Sequence, residues 1–141
     1  MRTLHTLTVV LTLALLSACA PITPPAAPAE PGAVGMANPA SVNCEKQGGT
    51  LTIETNPTGG QYGVCTFEEN RQCEEWALLR GECPVGGLKV TGYATDAARY
   101  CAITGGAYAM TGNSGAADET GACTLPDGTV CDAAEHYAGG C

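Results

Sequence analysis

Cysteine is the residue type in this chain whose number most clearly points to a particular chemistry. Nine of the 141 residues are cysteines, against two histidines and one phenylalanine. Cysteines at this density form disulfides in exported proteins or bind metals in intracellular ones. Zinc sites usually contain paired Cys-x-x-Cys knuckles, and no such pair occurs in the sequence. We therefore expect disulfides, with zinc and free or mixed thiols as the alternatives.

Eight of these cysteines form two sets with nearly the same spacing. Intervals of 21, 8 and 10 residues are followed by intervals of 22, 8 and 10, and Gly48-Gly49 recurs as Gly105-Gly106. Such agreement predicts the internal duplication of a small unit. The cysteines are Cys44, Cys65, Cys73 and Cys83, then Cys101, Cys123, Cys131 and Cys141. We define repeat 1 as residues 38–83, the linker as residues 84–95 and repeat 2 as residues 96–141.

The other polar residues do not form a pattern typical of an enzyme. Beyond residue 18 the chain has one histidine, His136, and two serines, Ser41 and Ser114, which fall in different predicted elements. Glu68-Glu69 and Glu74-Glu75 could suggest the carboxylate pair of a glycosidase, but a turn and a helix start explain them better. We expect His136 on the solvated surface, and we expect no enzymatic activity, no cofactor and no metal.

The elements that position the cysteines follow from the pattern of repeat 1. Capping residues, alternation of polar and apolar residues, and glycine-rich turns predict the order helix, strand, strand, helix. Trp76 and Leu79 should face inward from the second helix. The predicted fold class is α+β, with two small disulfide-stapled α-β-β-α units in tandem. In repeat 1 the predicted elements are a helix at 38–47, strands at 50–55 and 61–67, and a helix at 72–80.

Disulfides are expected because a unit of this length buries too little apolar surface to be stable alone. The spacing does not settle their connectivity. If strand pairing continues past the turn at residues 68–70, Cys65 lies opposite Cys73, which favours a bridge between them. The remaining pair is then Cys44–Cys83. By analogy, the expected bridges of repeat 2 are Cys123–Cys131 and Cys101–Cys141.

The N-terminal residues resemble a lipoprotein signal. Residues 1–18 contain a basic residue and an apolar run too short to span a bilayer, as in secretory signals. They lead into Leu16-Ser-Ala-Cys19, which resembles a bacterial lipobox and would make Cys19 the lipidated N-terminus. An ordinary signal peptide that happens to contain a cysteine is the alternative. Residues 19–37 are rich in proline and alanine, which favours an extended tether over a proline-rich docking motif.

Charge and aromatic content limit the partners that this protein can have. The net charge of −8 excludes a nucleic-acid-binding protein of the usual basic kind. Trp76, Tyr62 and Phe67 are the large aromatic residues typical of a core or of a ligand-binding patch in repeat 1. A membrane pore would need an apolar helix or an alternating strand of about 9–11 residues. We find neither after Cys19.

Repeat 1 resembles a known bacterial family. Asn38-Pro-Ala-Ser with Cys44, Gly60-Gln-Tyr-Gly with Cys65, and Cys73-Glu-Glu-Trp-Ala-Leu are similar to the cysteine-rich family called domain of unknown function 333. Repeat 2 resembles a diverged copy that keeps the cysteines but lacks the tryptophan. Members of this family are often exported lipoproteins and are often labelled haemolysins. The resemblance implies no assigned active site.

These observations predict a lipoprotein of the bacterial cell envelope. It would be anchored to the membrane through lipid at Cys19, and Ala20 after it resembles a signal for the outer membrane, facing the periplasm or the cell surface. The expected role is a binding or structural module for an envelope or extracellular protein. The alternative is an exported inhibitor or toxin-like haemolytic factor. A groove near Trp76 would favour the first, and a protruding loop at 56–60 or 113–120 would favour the second.

Overall fold

The computed structural model describes residues 37–141, and these residues form a mixture of helices and antiparallel strands. The α+β class is therefore confirmed. The signal segment, Cys19 and most of the predicted tether lie outside the described residues. Within 37–141 no helix has the length and apolar character needed to cross a membrane.

Repeat 1 and the linker contain α1 (Pro39–Lys46), β1 (Thr50–Thr55), β2 (Gln61–Thr66), β3 (Arg71–Glu74), α2 (Glu75–Arg80) and β4 (Leu88–Lys89). Repeat 2 contains α3 (Asp96–Ile103), β5 (Ala107–Gly112), β6 (Thr120–Thr124), β7 (Val130–Asp132) and α4 (Ala133–Tyr137).

Each repeat has a third strand that the sequence pattern did not predict. The sheets have the orders β1-β2-β3-β4 and β5-β6-β7, and all their pairs are antiparallel. Strand β3 occupies Arg71–Glu74, where we expected the first turn of a helix, because it pairs with β2 on one side and with β4 on the other. The prediction of two strands per repeat is therefore wrong, and α2 begins only at Glu75.

The late start of α2 also changes which of its residues are buried. Ala77 and Leu78 face the core with exposed fractions of 0% and 3%. Trp76 and Leu79, which were expected to face inward, are 41% and 40% exposed. That prediction is wrong, because it assumed a longer helix whose inward face would be set by positions 76 and 79.

Four disulfides lie within the repeats, and none of them joins one repeat to the other. The expected bridges are wrong, although the register on which they were based is confirmed: Cys65 lies opposite Cys73 in the β2–β3 pair. Both of these cysteines are fully buried. Each bonds instead to a cysteine outside the β2–β3 pair. The bridges are Cys44–Cys65, Cys73–Cys83, Cys101–Cys123 and Cys131–Cys141.

Cys65 and Cys73 each have a second cysteine within disulfide distance, on α1 and after α2, respectively. Cys44 on α1 has its Cα atom 5.7 Å from that of Cys65, and Cys83 after α2 has its Cα atom 5.9 Å from that of Cys73. Both separations suit a disulfide. A cysteine directly across the sheet therefore competes with one that approaches from outside the strand pair. Strand register alone cannot decide between them.

The second glycine of each Gly-Gly pair makes room for a disulfide. A Cβ atom on Gly49 would overlap the Sγ atom of Cys65 and lie 3.0 Å from the Sγ atom of Cys44. A Cβ atom on Gly106 would lie 2.6 Å from the Sγ atom of Cys123 and would also crowd Cys101. The repeated Gly-Gly pair therefore does more than end a helix, because its second residue lets the chain pass directly beside the bridge.

The two repeats pack against each other through apolar side chains. Val64 from β2, Val90 from the linker and Ile103 from α3 form one buried cluster, with exposed fractions of at most 9%. Tyr62 and Tyr100 flank this cluster with their ring centroids 4.9 Å apart in an edge-on arrangement. The linker thus contributes a strand and a core residue, in addition to joining the repeats.

A polar network also connects the repeats. Arg99 on α3 forms an ion pair with Glu54 on β1, and it donates to the amide oxygen of Gln72 at 2.9 Å. The hydroxyl of Tyr62 donates to the same Glu54 carboxylate at 2.8 Å. The hydrogen bond from Arg99 is the main cause that holds the pKa of Glu54 below its usual value. Glu54 is therefore a carboxylate that favours the native state while it is ionised.

We expect Arg99→Met to lower the free energy of unfolding by about 1 kcal/mol at pH 7, as for a partly exposed charged pair. A depressed carboxyl pKa stabilises the native state above its unfolded value of 4.5, and this contribution is lost as the pH falls through the folded pKa. The difference between wild type and variant should therefore shrink at about pH 3. Urea unfolding at both pH values measures it. An equal difference at both would mean that Arg99 acts through packing and not through charge.

Candidate functional site

The three aromatic residues proposed from the sequence as a binding patch do not lie together. Phe67 packs against the disulfide core of repeat 1, and Tyr62 packs against the cluster between the repeats. Trp76 is the one that remains largely accessible, with 41% of its surface exposed. It lines a cleft to which both repeats contribute. Phe67 borders a different cleft, lined with turn residues such as Glu68 and Glu69.

We call the cleft beside Trp76 the inter-repeat cleft. Its volume is about 490 Å³. The end of β3, helix α2 and the residues after it form one wall, and α3, α4 and the β6–β7 turn form the other. The lining residues are Glu74, Trp76, Arg80 and Glu82 from repeat 1, and Tyr100, Thr104, Leu125, Pro126, Asp127 and His136 from repeat 2.

Capping of helix α2 positions the wall formed by repeat 1. The Glu74 carboxylate accepts a hydrogen bond from the backbone N–H of Ala77 at 2.8 Å, which fixes the first turn that carries Trp76. Glu74 is only 7% exposed, and burial raises the pKa of its carboxyl group. At the other end, Gly81 ends the helix with φ 78°, and Arg80 pairs with Glu82 at 2.7 Å.

A histidine and a threonine meet in the wall formed by repeat 2. The Nε2 atom of His136 lies 3.1 Å from the hydroxyl oxygen of Thr104. That hydroxyl is also 2.8 Å from the backbone oxygen of Tyr100, to which it can donate, so its oxygen is able to accept from Nε2. The expectation of a solvated His136 is wrong, because the residue is half-buried and its ring centroid lies 5.1 Å from that of Tyr100, with the rings tilted. Burial lowers the pKa of His136, which favours the neutral imidazole.

The charges of the inter-repeat cleft are unbalanced. Among residues 37–141, the ion pair that lies in this cleft is Arg80–Glu82. The carboxyl groups of Glu74 and Asp127 have no basic partner within ion-pair distance in that part of the chain. Asp127 accepts from the backbone N–H of Thr129, which lowers its pKa and keeps it ionised. The cleft therefore carries an excess of negative charge beside an accessible aromatic ring.

The side chains that line the cleft determine which groups it can contact. The Thr104 hydroxyl lies within hydrogen-bond distance of backbone oxygens of its own helix, so it is not poised as a nucleophile. An exposed tryptophan beside carboxylates can hold a cation by cation–π and ion-pair contacts. The cleft therefore offers the contacts that a positively charged group requires.

Sequence reasoning missed the role of Glu75, which holds α1 and α2 together. Its side chain accepts from the amide of Asn38 at 2.9 Å and from the hydroxyl of Ser41 at 2.6 Å, and the residue is 5% exposed. The Asn-Pro-Ala-Ser segment and the Glu-Trp segment therefore occur together because they bond to each other. The sequence did contain a sign of this contact, because repeat 2 lacks the counterparts of Asn38, Ser41 and Glu75 together. The residues at the corresponding positions are Thr95, the last residue of the linker, and Ala98 and Ala133 in repeat 2.

Comparison with known proteins agrees with the duplication. The model of the family named Domain of unknown function (DUF333) matches residues 35–82 and again residues 92–140. The chain is 40% identical over 74 residues to uncharacterized protein YoaF from Escherichia coli strain K12, E. coli O6:H1 and Shigella flexneri. These residues make up 52% of this chain and 86% of each relative. No solved structure matches. The chain therefore belongs to the DUF333 family, of which it carries two tandem copies.

Proposed function

We propose that this protein is a lipid-anchored binding module of the bacterial cell envelope. Buried disulfides in both repeats fit an oxidising compartment outside the cytoplasm. The lipobox-like Leu16-Ser-Ala-Cys19 supports anchoring through acyl chains at Cys19, and Ala20 supports the outer membrane as the destination. The proline-rich residues that follow would hold the two repeats away from the membrane surface.

The exposure of Trp76 is the observation that carries this proposal. It is the only tryptophan in a protein with seven aromatic residues, and burying it would strengthen a small core. It is instead 41% exposed at the inter-repeat cleft. Accessible tryptophans in clefts are enriched among residues that dominate binding energy. We therefore place the partner-binding surface at this cleft.

The loops support an inhibitor or toxin-like factor less well. The turn at 56–60 is held by the Asn56 side chain, which accepts from the backbone N–H of Gly60 at 2.7 Å. Thr58 in this turn donates to the backbone oxygen of Ala138 in repeat 2 at 2.9 Å. The turn is thus docked on the other repeat and does not project as an inhibitory loop. The loop at 113–120 is mostly exposed and lies in the segment that the Cys101–Cys123 bridge closes, so it is the loop that fits this alternative better.

Site-specific photo-crosslinking in the native envelope tests the proposal. The full-length lipoprotein would carry Trp76→p-benzoylphenylalanine or, as the control, Met110→p-benzoylphenylalanine, since Met110 is 49% exposed on β5 and does not line the cleft. We expect a discrete adduct from position 76 that unmodified lipoprotein competes away, and none from position 110. Intact-mass measurement of the same sample should show an acylated Cys19. Equal labelling from both positions, or an unacylated Cys19, would contradict the proposal.

A further inference from the structure

The inter-repeat cleft has a charge pattern that selects among possible ligands. Glu74, Glu82 and Asp127 line it together with one permanent cation, Arg80. Arg80 pairs with Glu82 at 2.7 Å and also lies close enough to Glu74 to favour its ionised form, so one guanidinium faces three carboxylates. An anionic ligand would meet net repulsion here, whereas a cationic ligand would be attracted.

The other titratable groups of the cleft add no positive charge. Burial lowers the pKa of His136, and burial raises the pKa of the Tyr100 hydroxyl, so both side chains are neutral near pH 7. The neutral His136 ring contacts Tyr100 and Thr104 and therefore contributes no positive charge to the cleft. These two side chains therefore leave the negative excess of the cleft unchanged near pH 7.

The uncharged surfaces of the cleft suit a cation on an aliphatic stem. Trp76 presents an exposed indole, the aromatic ring that binds cations most strongly. Leu125 and Pro126 line the opposite wall and can contact methylene groups. A volume of about 490 Å³ is that of a small-ligand site and not of a groove for a whole helix or strand.

We propose that the inter-repeat cleft binds a lysine or arginine side chain of a partner polypeptide, with the cation between Trp76 and the carboxylates of Glu74 and Asp127. This inference rests on the proposed function, since it specifies the chemistry of the partner. It also makes the site a product of duplication, because Trp76 and Glu74 belong to repeat 1 and Asp127 to repeat 2. Neither repeat contains the complete set.

Tryptophan fluorescence tests the proposal without a label, because Trp76 is the only tryptophan in the full chain. The probes are the tripeptide amides acetyl-Gly-Lys-Gly and acetyl-Gly-Arg-Gly, with the norleucine and glutamate tripeptides as neutral and acidic controls. The protein is the full-length lipoprotein in detergent. We expect a saturable change with the lysine and arginine peptides, weaker binding at high salt, and no change with either control. Equal binding of the norleucine peptide, or preference for the glutamate peptide, would overturn the proposal.

Charge-removing variants assign the effect to the cleft. Asp127→Asn keeps an oxygen that can accept from Thr129 and should weaken binding of the lysine peptide about threefold. Glu74→Gln keeps the helix cap and should weaken it about tenfold, because its charge is desolvated. Glu45→Gln removes an exposed charge from α1, outside the cleft, and should have no effect. Equal weakening by Glu45→Gln would overturn the assignment.

Two further outcomes separate this inference from the proposed function. A specific crosslink from position 76 without binding of any lysine or arginine peptide would overturn the inference and leave the binding module in place. Binding of a peptidoglycan fragment that carries a free amine, with no response to the lysine and arginine peptides, would overturn the proposal that the partner is a polypeptide. Saturable lysine binding that Asp127→Asn weakens would support the inference even if the crosslinking experiment captured no partner.

Discussion

Replacing Cys44 and Cys65 together with alanine should lower the free energy of unfolding by about 3 kcal/mol. Their bridge links residues 21 positions apart, and it ties α1 to β2 in the core of repeat 1. Without it the unfolded chain gains conformational entropy. Alanine is preferable to serine because both Sγ positions are buried, where a hydroxyl would need a hydrogen-bond partner. Chemical denaturation of the full chain measures the change.

The companion variant lacks Cys73 and Cys83, whose bridge links residues only 10 positions apart. Loop closure depends weakly on length, so this pair should cost about 0.6 kcal/mol less than the first. A larger loss from the Cys73 and Cys83 variant would contradict the loop-entropy argument. It would show instead that packing around the second bridge dominates the stability of repeat 1.

Tryptic mapping without reduction checks that these are the native pairs. Cleavage after Lys46, Arg71, Arg80 and Lys89 places each cysteine of repeat 1 in a different peptide. The observed bridges join the peptide that ends at Lys46 to 47–71, and 72–80 to 81–89. A bridge between Cys65 and Cys73 would instead join 47–71 to 72–80. Recovery of that last product from freshly purified protein would refute the connectivity on which both variants depend.

Local features of the fold could be predicted because local physics controls them. The helix predicted at 38–47 begins with a capping residue, Asn38, whose side chain accepts from the backbone N–H of Ala40 at 2.9 Å. Gly48, with φ 81°, follows the end of α1, as the Gly-Gly pair indicates. The register of Cys65 with Cys73 followed from a short turn. Each of these depends on residues within a few positions of one another.

Features set by distant residues could not be predicted in the same way. Strand β3 exists because β2 and the linker strand β4 pair with it, and the two-residue β4 has no recognisable sequence pattern. The ion pair of Glu54 and Arg99 joins residues 45 positions apart. For the candidate site, Trp76 could be identified from its rarity. Its neighbours His136 and Asp127 could not, because they lie beside it only once the repeats pack together.

Gly49→Ala should destabilise the protein by about 1–3 kcal/mol, the usual cost of overpacking a core. The added methyl group would overlap the Sγ atom of Cys65, and the bridge prevents that sulfur from rotating away. Gly140→Ala is the matched control, since the nearest atom to its Cβ lies at 3.5 Å and its backbone does not have a positive φ. It should leave the free energy of unfolding nearly unchanged. Urea unfolding of both variants makes the comparison.

A double-mutant cycle then shows whether the disulfide itself is the cause. In a background that already lacks Cys44 and Cys65, both sulfurs that crowd position 49 are gone, so Gly49→Ala should cost clearly less than in wild type. The same cycle with Gly106 and the Cys101–Cys123 bridge should give the same result in repeat 2. An undiminished cost in the disulfide-free background would mean that the Phe67 ring, whose nearest carbon would lie 3.2 Å from the added methyl group, causes the loss and not the bridge. In that case the coincidence of the repeated Gly-Gly pair with the cysteines would need another explanation.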